Sequence, residues 1–273
     1  MTKSQTRNLP SIDVKPLSDK VDEKLKKREE RYDRERRFRI KSSEDLETLE
    51  EVFDKRTLLT ILKILNIGKL KEITGVLKAG KESRVYHGLD PQGKEVAVKI
   101  FLTSSNIFRQ GRLKYIQGDP RFKDIPHDTR SLVDMWALKE YKNLELAGQA
   151  ITVPAPIYVE KNVILLQFIG KEGKSAPHLR EVPLEAPAGW YKKTLEMLKD
   201  LHHKVKLVHA DLSEYNILVP DGYPVFIDFA QAVTMEHPEA KLFLKRDVEN
   251  LNHYFTGLGV KTRPFEKVFP EIE

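Results

Sequence analysis

From residue 44 the chain becomes periodic. Leu46, Leu49, Val52, Phe53, Leu59, Leu62 and Leu65 recur mostly at spacings of three and four, the repeat of one helical face, and Asn66 and Gly68 supply a stop. An amphipathic helix or helix pair is therefore expected over 44–67. From Glu72 the repeat shortens. Residues 73–78, 84–88 and 95–101 are short β-rich runs, with Asp90-Pro91-Gln92-Gly93 as a turn between the last two. Residues 131–147 return to a helical pattern through Leu132, Met135, Trp136, Leu138 and Leu144, and Val153-Pro154-Ala155-Pro156 breaks it. Residues 157–160 and 163–168 read as a hairpin, which completes a five-stranded antiparallel sheet with one inserted helix. Helices are then expected over 187–203 and 240–257, with a loop-and-strand region over 205–219 between them.

Residues 103–130 join a strand to a helix but run to nearly thirty positions, and connections of that length tend to be functional or mobile. This one carries Arg109, Arg112, Lys114, Arg121, Lys123 and Arg130 among Phe108, Tyr115 and Phe122, a mixture suited to phosphates, RNA or a protein partner. The net charge of +6 is uneven: residues 20–41 hold eleven Lys/Arg against six Asp/Glu. That segment is either a solvated helix with i,i+4 pairs or a basic arm that touches nucleic acid. Residues 1–19 are polar and Pro-containing and read as disordered. No apolar run is long enough for a membrane span, no secretory signal is evident, and there is no Cys. Thiolate metal sites and disulfides are excluded, and a cytoplasmic location with no membrane partner is expected.

His209-Ala210-Asp211-Leu212-Ser213-Glu214-Tyr215-Asn216, followed by Ile227-Asp228-Phe229, carries the densest chemistry. Phosphoryl transfer needs phosphates held, a divalent cation placed and a hydroxyl aligned. Asp211 is the candidate hydroxyl-positioning base, and Asn216 and Asp228 are hard oxygen donors suited to Mg²⁺. Lys99 closes Val96-Ala97-Val98-Lys99, where alternation puts Ala97 and Lys99 on one strand face within reach of the α- and β-phosphates. Glu140 on the next helix could orient Lys99. Gly80-Lys81-Glu82-Ser83-Arg84-Val85 precedes that strand. It keeps one of the three glycines of a G-x-G-x-x-G-x-V phosphate loop, with Ser83 as an added hydroxyl donor. An adenine slot is expected from Val85, Ala97, Leu218 and Ile227, with backbone hydrogen bonds from the linker containing Gln167 and Ile169. His209 is expected to pack and hydrogen-bond in support of the loop. Read singly, each of these residues has an ordinary structural explanation, such as a turn side chain, a core residue or a surface ion pair. Their ordered spacing favours the phosphotransfer reading.

The motifs at 80–86, 209–216 and 227–233 together resemble the RIO family of atypical serine/threonine protein kinases. Trp136 to Leu144, Pro154, Pro156 and Arg246-Asp247-Val248-Glu249-Asn250 strengthen the likeness. It covers about residues 46–270 and points to the first subfamily and an archaeal member. The resemblance implies an α+β, two-lobed protein-kinase-like fold: an antiparallel N-lobe sheet with added N-terminal helices (about 46–166), a trimmed helical C-lobe (about 170–273), and a mobile insertion over 103–130. It implies ATP with Mg²⁺ or Mn²⁺, Ser phosphorylation including autophosphorylation, and ATPase turnover through a phosphoaspartate at Asp228. It also implies action on the small ribosomal subunit precursor, with RNA contact expected through 20–41 and 103–130. Two departures from protein-kinase patterns stand out. Ala230 replaces the Gly that usually follows Asp-Phe, and Gln167 occupies a linker position that is commonly acidic.

Two other classes fit part of the pattern. Small-molecule phosphotransferases of the aminoglycoside or choline type share the Asp211–Asn216 and Ile-Asp-Phe logic but keep a larger C-terminal acceptor region. A nucleotide-sensing binding module on pre-ribosomes would use the basic segments but would not need Lys99, Asp211, Asn216 and Asp228 intact. Only 45 residues follow Asp228, with no Ala-Pro-Glu and little chain for a peptide-docking subdomain. ATP turnover coupled to a ribonucleoprotein step is therefore expected at least as much as signalling-type phosphorylation.

Overall fold

The structure, a computed structural model, describes residues 53–102, 111–122 and 124–271. The basic segment 20–41, the first part of the 44–67 periodicity and residues Phe108, Arg109 and Lys123 lie outside the described residues.

Asp54 starts the first helix, α1 (Lys55–Asn66), by accepting from the Arg56 and Thr57 N–H groups. The helix buries Ile61 and Ile64 on its inner face, while Leu59 from the same sequence periodicity stays exposed. Next come β1 (Glu72–Ala79), β2 (Ser83–Leu89) and β3 (Glu95–Phe101). After helix α2 (Thr129–Ala147) the hairpin β4 (Pro156–Glu160) and β5 (Val163–Gln167) returns to the sheet. The order is β1-β2-β3-β5-β4, with every neighbouring pair antiparallel. Lys99 pairs with Val85 on one side and Ile164 on the other, so it stands in the middle of the sheet. Tyr86, Val96, Val98 and Ile100 alternate with the cleft-facing residues and are buried. The buried Asn162 Nδ2 donates to Thr57 Oγ1 at 2.9 Å and to the Phe101 carbonyl at 2.8 Å, joining α1 to the sheet.

A small hairpin, β6 (Gly170–Lys171) and β7 (Lys174–Ser175), occupies the linker that the sequence left featureless. Helix α3 (Pro187–Val205) opens with Pro at its first position and ends on Lys206 in the left-handed region. The loop-and-strand region resolves into two-residue strands: β8 (Leu207–Val208), β9 (Ile217–Leu218), β10 (Val225–Phe226) and β11 (Val233–Thr234). Helix α4 (Ala240–Gly257) and the short α5 (Phe265–Val268) complete the helical lobe. One continuous core runs from Phe101 and Ile164 through Trp136 and Leu198 to Phe229, Leu244 and Phe255, all buried.

The described part of the long connection corrects one expectation. Tyr115, Ile116 and Phe122 are buried in this core, and Arg121 is bound to Asp119 at 2.7 Å. These rings pack against protein and are not available as stacking platforms for RNA bases. The apolar content of 113–122 outweighs its charge, and the segment folds inward.

Candidate active site

Short antiparallel ladders bring the chemistry-bearing residues together. Phe226 pairs with Ile217, so Asn216 at the start of β9 lies beside Ile227 and Asp228 at the end of β10, and the Ile227 N–H donates to the Asn216 carbonyl at 3.0 Å. The Asn216 Nδ2 donates to the Asp211 carbonyl at 2.8 Å. That leaves its amide oxygen as the atom suited to a cation. Asp228 has φ +66°, a strained left-handed conformation for a side-chain-bearing residue. Ala230, where protein kinases usually carry Gly, is not among the residues with positive φ.

Lys99 crosses from the sheet to this loop. Its Nζ donates to Glu140 Oε1 at 2.7 Å and to Asp228 Oδ1 at 3.0 Å. Burial works against the ammonium, but the Asp228 and Glu140 carboxylates outweigh it and hold the Lys99 pKa above its ordinary value. The cation is thus permanent at neutral pH. Burial first, and then the like charge of Asp228, push the Asp211 carboxyl up to about 6, while Arg246 and Arg112 pull it back. A carboxylate in that range can accept a hydroxyl proton near neutrality.

The cleft beneath the sheet encloses about 580 Å³. Gly80, Ser83, Val85, Ala97, Lys99, Glu140, Gln167, Ile169, Leu218, Ile227 and Asp228 line it, so most of the expected site residues converge on one space. Lys81 is exposed and lies outside the lining, and Asp211 and Asn216 lie beside the cleft at the loop that carries Asp228 but are not part of its lining either. Gly80 is needed at its turn: its N–H donates to the Ser83 carbonyl at 3.0 Å, and a Cβ there would stand 2.9 Å from the same oxygen. Phe168 of the expected linker also lines the cleft, as do Leu77, His178 and Glu181, which no sequence motif had marked.

Several further residues hold the site, and sequence reasoning missed their roles. Gln231 Nε2 donates to Asp211 Oδ2 at 2.9 Å. The buried Asn143 donates to the Phe229 and Ala232 carbonyls at 2.8 and 2.9 Å, and the buried Lys139 donates to the Ala230 and Ala232 carbonyls. Helix α2 therefore grips the backbone after Asp228 one turn from Glu140. On the other side, Asp247 of α4 accepts from the Ala210 and Leu212 N–H groups, both at 2.8 Å, and Arg246 donates to the Ala210 carbonyl. The sequence signal was present as polar residues at positions where α2 and α4 turn inward. Partners 35 to 93 residues away along the chain cannot be assigned from periodicity. His209 is fully buried, donates from Nε2 to the Ile227 carbonyl at 3.0 Å and packs 4.5 Å from the Phe229 ring. It supports the loop from within the core.

Among the described residues, no three His, Cys, Asp or Glu side chains cluster so as to hold a metal alone. Asn216 and Asp228 place two hard oxygen donors on neighbouring strand ends, a set that would suit a Mg²⁺ taking its remaining ligands from phosphates and water.

The RIO domain family model matches residues 84–268. The RIO-type serine/threonine-protein kinase Rio1 of Haloferax volcanii is 38% identical, covering 89% of this chain and 83% of its own. The protein of the same name from Methanocaldococcus jannaschii is also 38% identical, covering 89% of this chain and 87% of its own. Human serine/threonine-protein kinase RIO1 is 35% identical over 96% of this chain, which spans 46% of the human protein's length. Among solved structures, the Rio2 kinase-ADP/Mg²⁺-phosphoaspartate complex from Chaetomium thermophilum superposes with a TM-score of 0.62 at 23% identity. That match covers 77% of this chain and 64% of the other, and it shows the shared kinase-like fold. With a family match over most of its length and these relatives, the chain belongs to the RIO family of serine/threonine-protein kinases, in its Rio1 branch.

Proposed function

We propose that the chain transfers the γ-phosphoryl group of ATP, both to serine hydroxyls, its own included, and to water, in the service of small-ribosomal-subunit maturation. The observation that carries this is Lys99 bridging Glu140 and Asp228 across the cleft at 2.7 and 3.0 Å, with Asp211 and Asn216 at the same loop end. In this reading Val85, Ala97, Leu218 and Ile227 sandwich the adenine. The Ile169 carbonyl is already taken by the Ala176 N–H at 2.9 Å, so the Ile169 N–H serves the base edge. Lys99 neutralises the α- and β-phosphates, and the backbone of the Gly80 turn with Ser83 faces the terminal groups. Mg²⁺, or Mn²⁺, held by Asn216 and Asp228 would neutralise charge on the β- and γ-phosphates. Asp211, fixed by Gln231 and Asn216, orients the acceptor hydroxyl and takes its proton as the oxygen–phosphorus bond forms and the bond to ADP breaks.

The ATPase branch uses the carboxylate of Asp228 itself. Lys99 lowers the Asp228 pKa against its burial and keeps it anionic. An Asp228 oxygen attacks the γ-phosphorus, ADP leaves, and water then cleaves the acyl phosphate. The phosphoaspartate named for the Chaetomium Rio2 complex is the parallel that supports this branch.

Incubation with γ-labelled ATP, Mg²⁺ and purified small subunits decides between outcomes. Label on serine and free phosphate are both expected from the wild type, and Asp228→Ala should lose both. Asp211→Asn should lose transfer to serine while an acid-stable, hydroxylamine-sensitive adduct still forms. Full activity in Asp228→Ala would remove the metal and acyl-phosphate assignments together.

A further inference from the structure

Arg112 belongs to the connection between β3 and α2, and its ion pair with Glu82 ties it to the Gly80–Ser83 turn that borders the cleft. Three residues further on, Tyr115 anchors the chain. Tyr115 packs 6.2 Å from Trp136 of α2 and 5.1 Å from Phe243 of α4, and Arg246 donates to the Tyr115 hydroxyl at 3.2 Å. Arg112 itself is only 7% exposed. Its guanidinium lies 5.0 Å from the Trp136 ring centroid, one helical turn before Glu140, and it pairs with Glu82. Glu82 sits in the phosphate-loop turn between Gly80 and Ser83, and its side chain is half exposed at 53%. Burial lowers the Arg112 pKa, and the nearby carboxylates of Asp228, Asp211 and Glu140 offset only part of that cost.

We propose that Arg112 is a catalytic cation for the transferring phosphoryl group, kept in place by Glu82 until a nucleotide triphosphate arrives. This rests on the phosphoryl-transfer reading above. A buried guanidinium is costly to desolvate and is most useful where negative charge appears. Its planar fork matches phosphate oxygens in two parallel hydrogen bonds. A γ-phosphate between the Gly80 turn and Asp228 carries more charge than Glu82 and competes for the same fork. Arg112 then changes partner, and Glu82, already half in water, is released to solvent at little cost. In the transition state the bond from γ-phosphorus to the ADP oxygen lengthens while the bond to the acceptor oxygen forms. The acceptor proton passes to Asp211, and Arg112 meets the charge spread over the equatorial oxygens without bonding covalently. ADP lacks that group and leaves the Glu82–Arg112 pair intact, so the arginine distinguishes ATP from ADP.

The test uses the full chain with Mg²⁺. Single-turnover release of labelled phosphate and calorimetric affinities for ATP and ADP are measured for wild type, Arg112→Gln, Arg112→Lys and Glu82→Gln. Arg112→Gln should slow turnover by about 10³-fold, with ATP affinity falling and ADP affinity holding. Arg112→Lys should recover part of the rate, because the charge returns without the fork. Glu82→Gln should tighten ATP relative to ADP by about tenfold, as the competing carboxylate is removed. Turnover near wild type in Arg112→Gln, or equal losses of ATP and ADP affinity, would overturn the assignment. If Arg112→Gln fails to fold, Glu82→Gln decides, and an unchanged ATP-to-ADP ratio overturns it. A wild type that turns over ATP while its Arg112 variants do so equally well sinks this inference alone. A wild type with no turnover sinks the phosphoryl-transfer reading beneath it.

Discussion

At Lys99 one ammonium serves two carboxylates, and its structural and chemical duties can be separated. Lys99→Met leaves Glu140 buried without its cation, which should cost about 3 kcal/mol in denaturant unfolding, and should lower turnover by about 10²-fold or more. Adding Glu140→Gln removes the orphaned charge and should restore much of the stability but none of the rate. Recovery of both together would make Lys99 a structural residue. His209 offers a test by pH. Burial lowers its pKa to about 4, although its bond to the Ile227 carbonyl opposes the shift. An unfolded histidine titrates near 6.5, so below that value the unfolded chain binds a proton that the folded one refuses. The His209 contribution to stability is complete above about pH 6.5 and declines as pH falls toward 4, by on the order of 3 kcal/mol. Asp211 and Asp247, held up at about 6 and about 7 by burial, act in the opposite sense over this window, so urea unfolding in the absence of nucleotide should show the His209 decline as the difference between wild type and variant. His209→Phe, which keeps an aromatic ring against Phe229, should lack that decline, and equal slopes would contradict the assignment.

Helices α2 and α4 hold the two halves of the catalytic loop from opposite sides, and their polar residues account for loop strain that would otherwise relax. Ala210 has φ +66°, like Asp228, and Asp247 and Arg246 hold its N–H and carbonyl. Asp247→Ala would leave the Ala210 and Leu212 N–H groups buried without acceptors. That should cost about 3 kcal/mol and lower kcat on the order of 10²-fold, because Asp211 sits between those two residues. ATP affinity should change little, since the nucleotide contacts lie on other elements. Loss of affinity in proportion to rate would point to general unfolding instead. The elements themselves were largely readable from the chain. The alternation through Val96-Ala97-Val98-Lys99 fixes which face Lys99 shares with Ala97, and the 3.6-residue periods give α2, α3 and α4 within a few residues. The cleft-lining set followed because sheet register and loop spacing are local properties. The support was not legible. Lys139, Asn143 and Asp247 bond backbone groups far along the chain, and a polar side chain at an inward helical position looks the same in sequence whether it is satisfied or misplaced. A short apolar strand over Val225-Phe226-Ile227 and strand character within 205–219 were readable, but the pairing of β8 to β11 was not, since it is set by the core around them.

Charge is arranged unevenly along the chain, and this bears on how it would find a ribonucleoprotein partner. Part of the described core's positive charge is held in ion pairs: Lys63 with Glu160, Arg121 with Asp119, and Arg263 and Lys199 with Glu271. Residues 20–41 concentrate positive charge most densely, with eleven Lys/Arg against six Asp/Glu. If that segment binds RNA, it does so by displacing counterions from phosphates, and its share of the affinity must fall steeply with salt. If it is only a solvated face, its removal leaves the salt dependence unchanged. Deleting residues 1–45 should therefore reduce the slope of log affinity against log salt for small-subunit RNA by roughly 3, taking a few net phosphate contacts at about 0.7 each. ATP turnover without RNA should persist, because the cleft residues of the proposed reaction lie between Leu77 and Asp228. Filter binding across a salt series with both proteins measures the slope directly, and identical slopes would assign RNA recognition, where it occurs, to the folded domain.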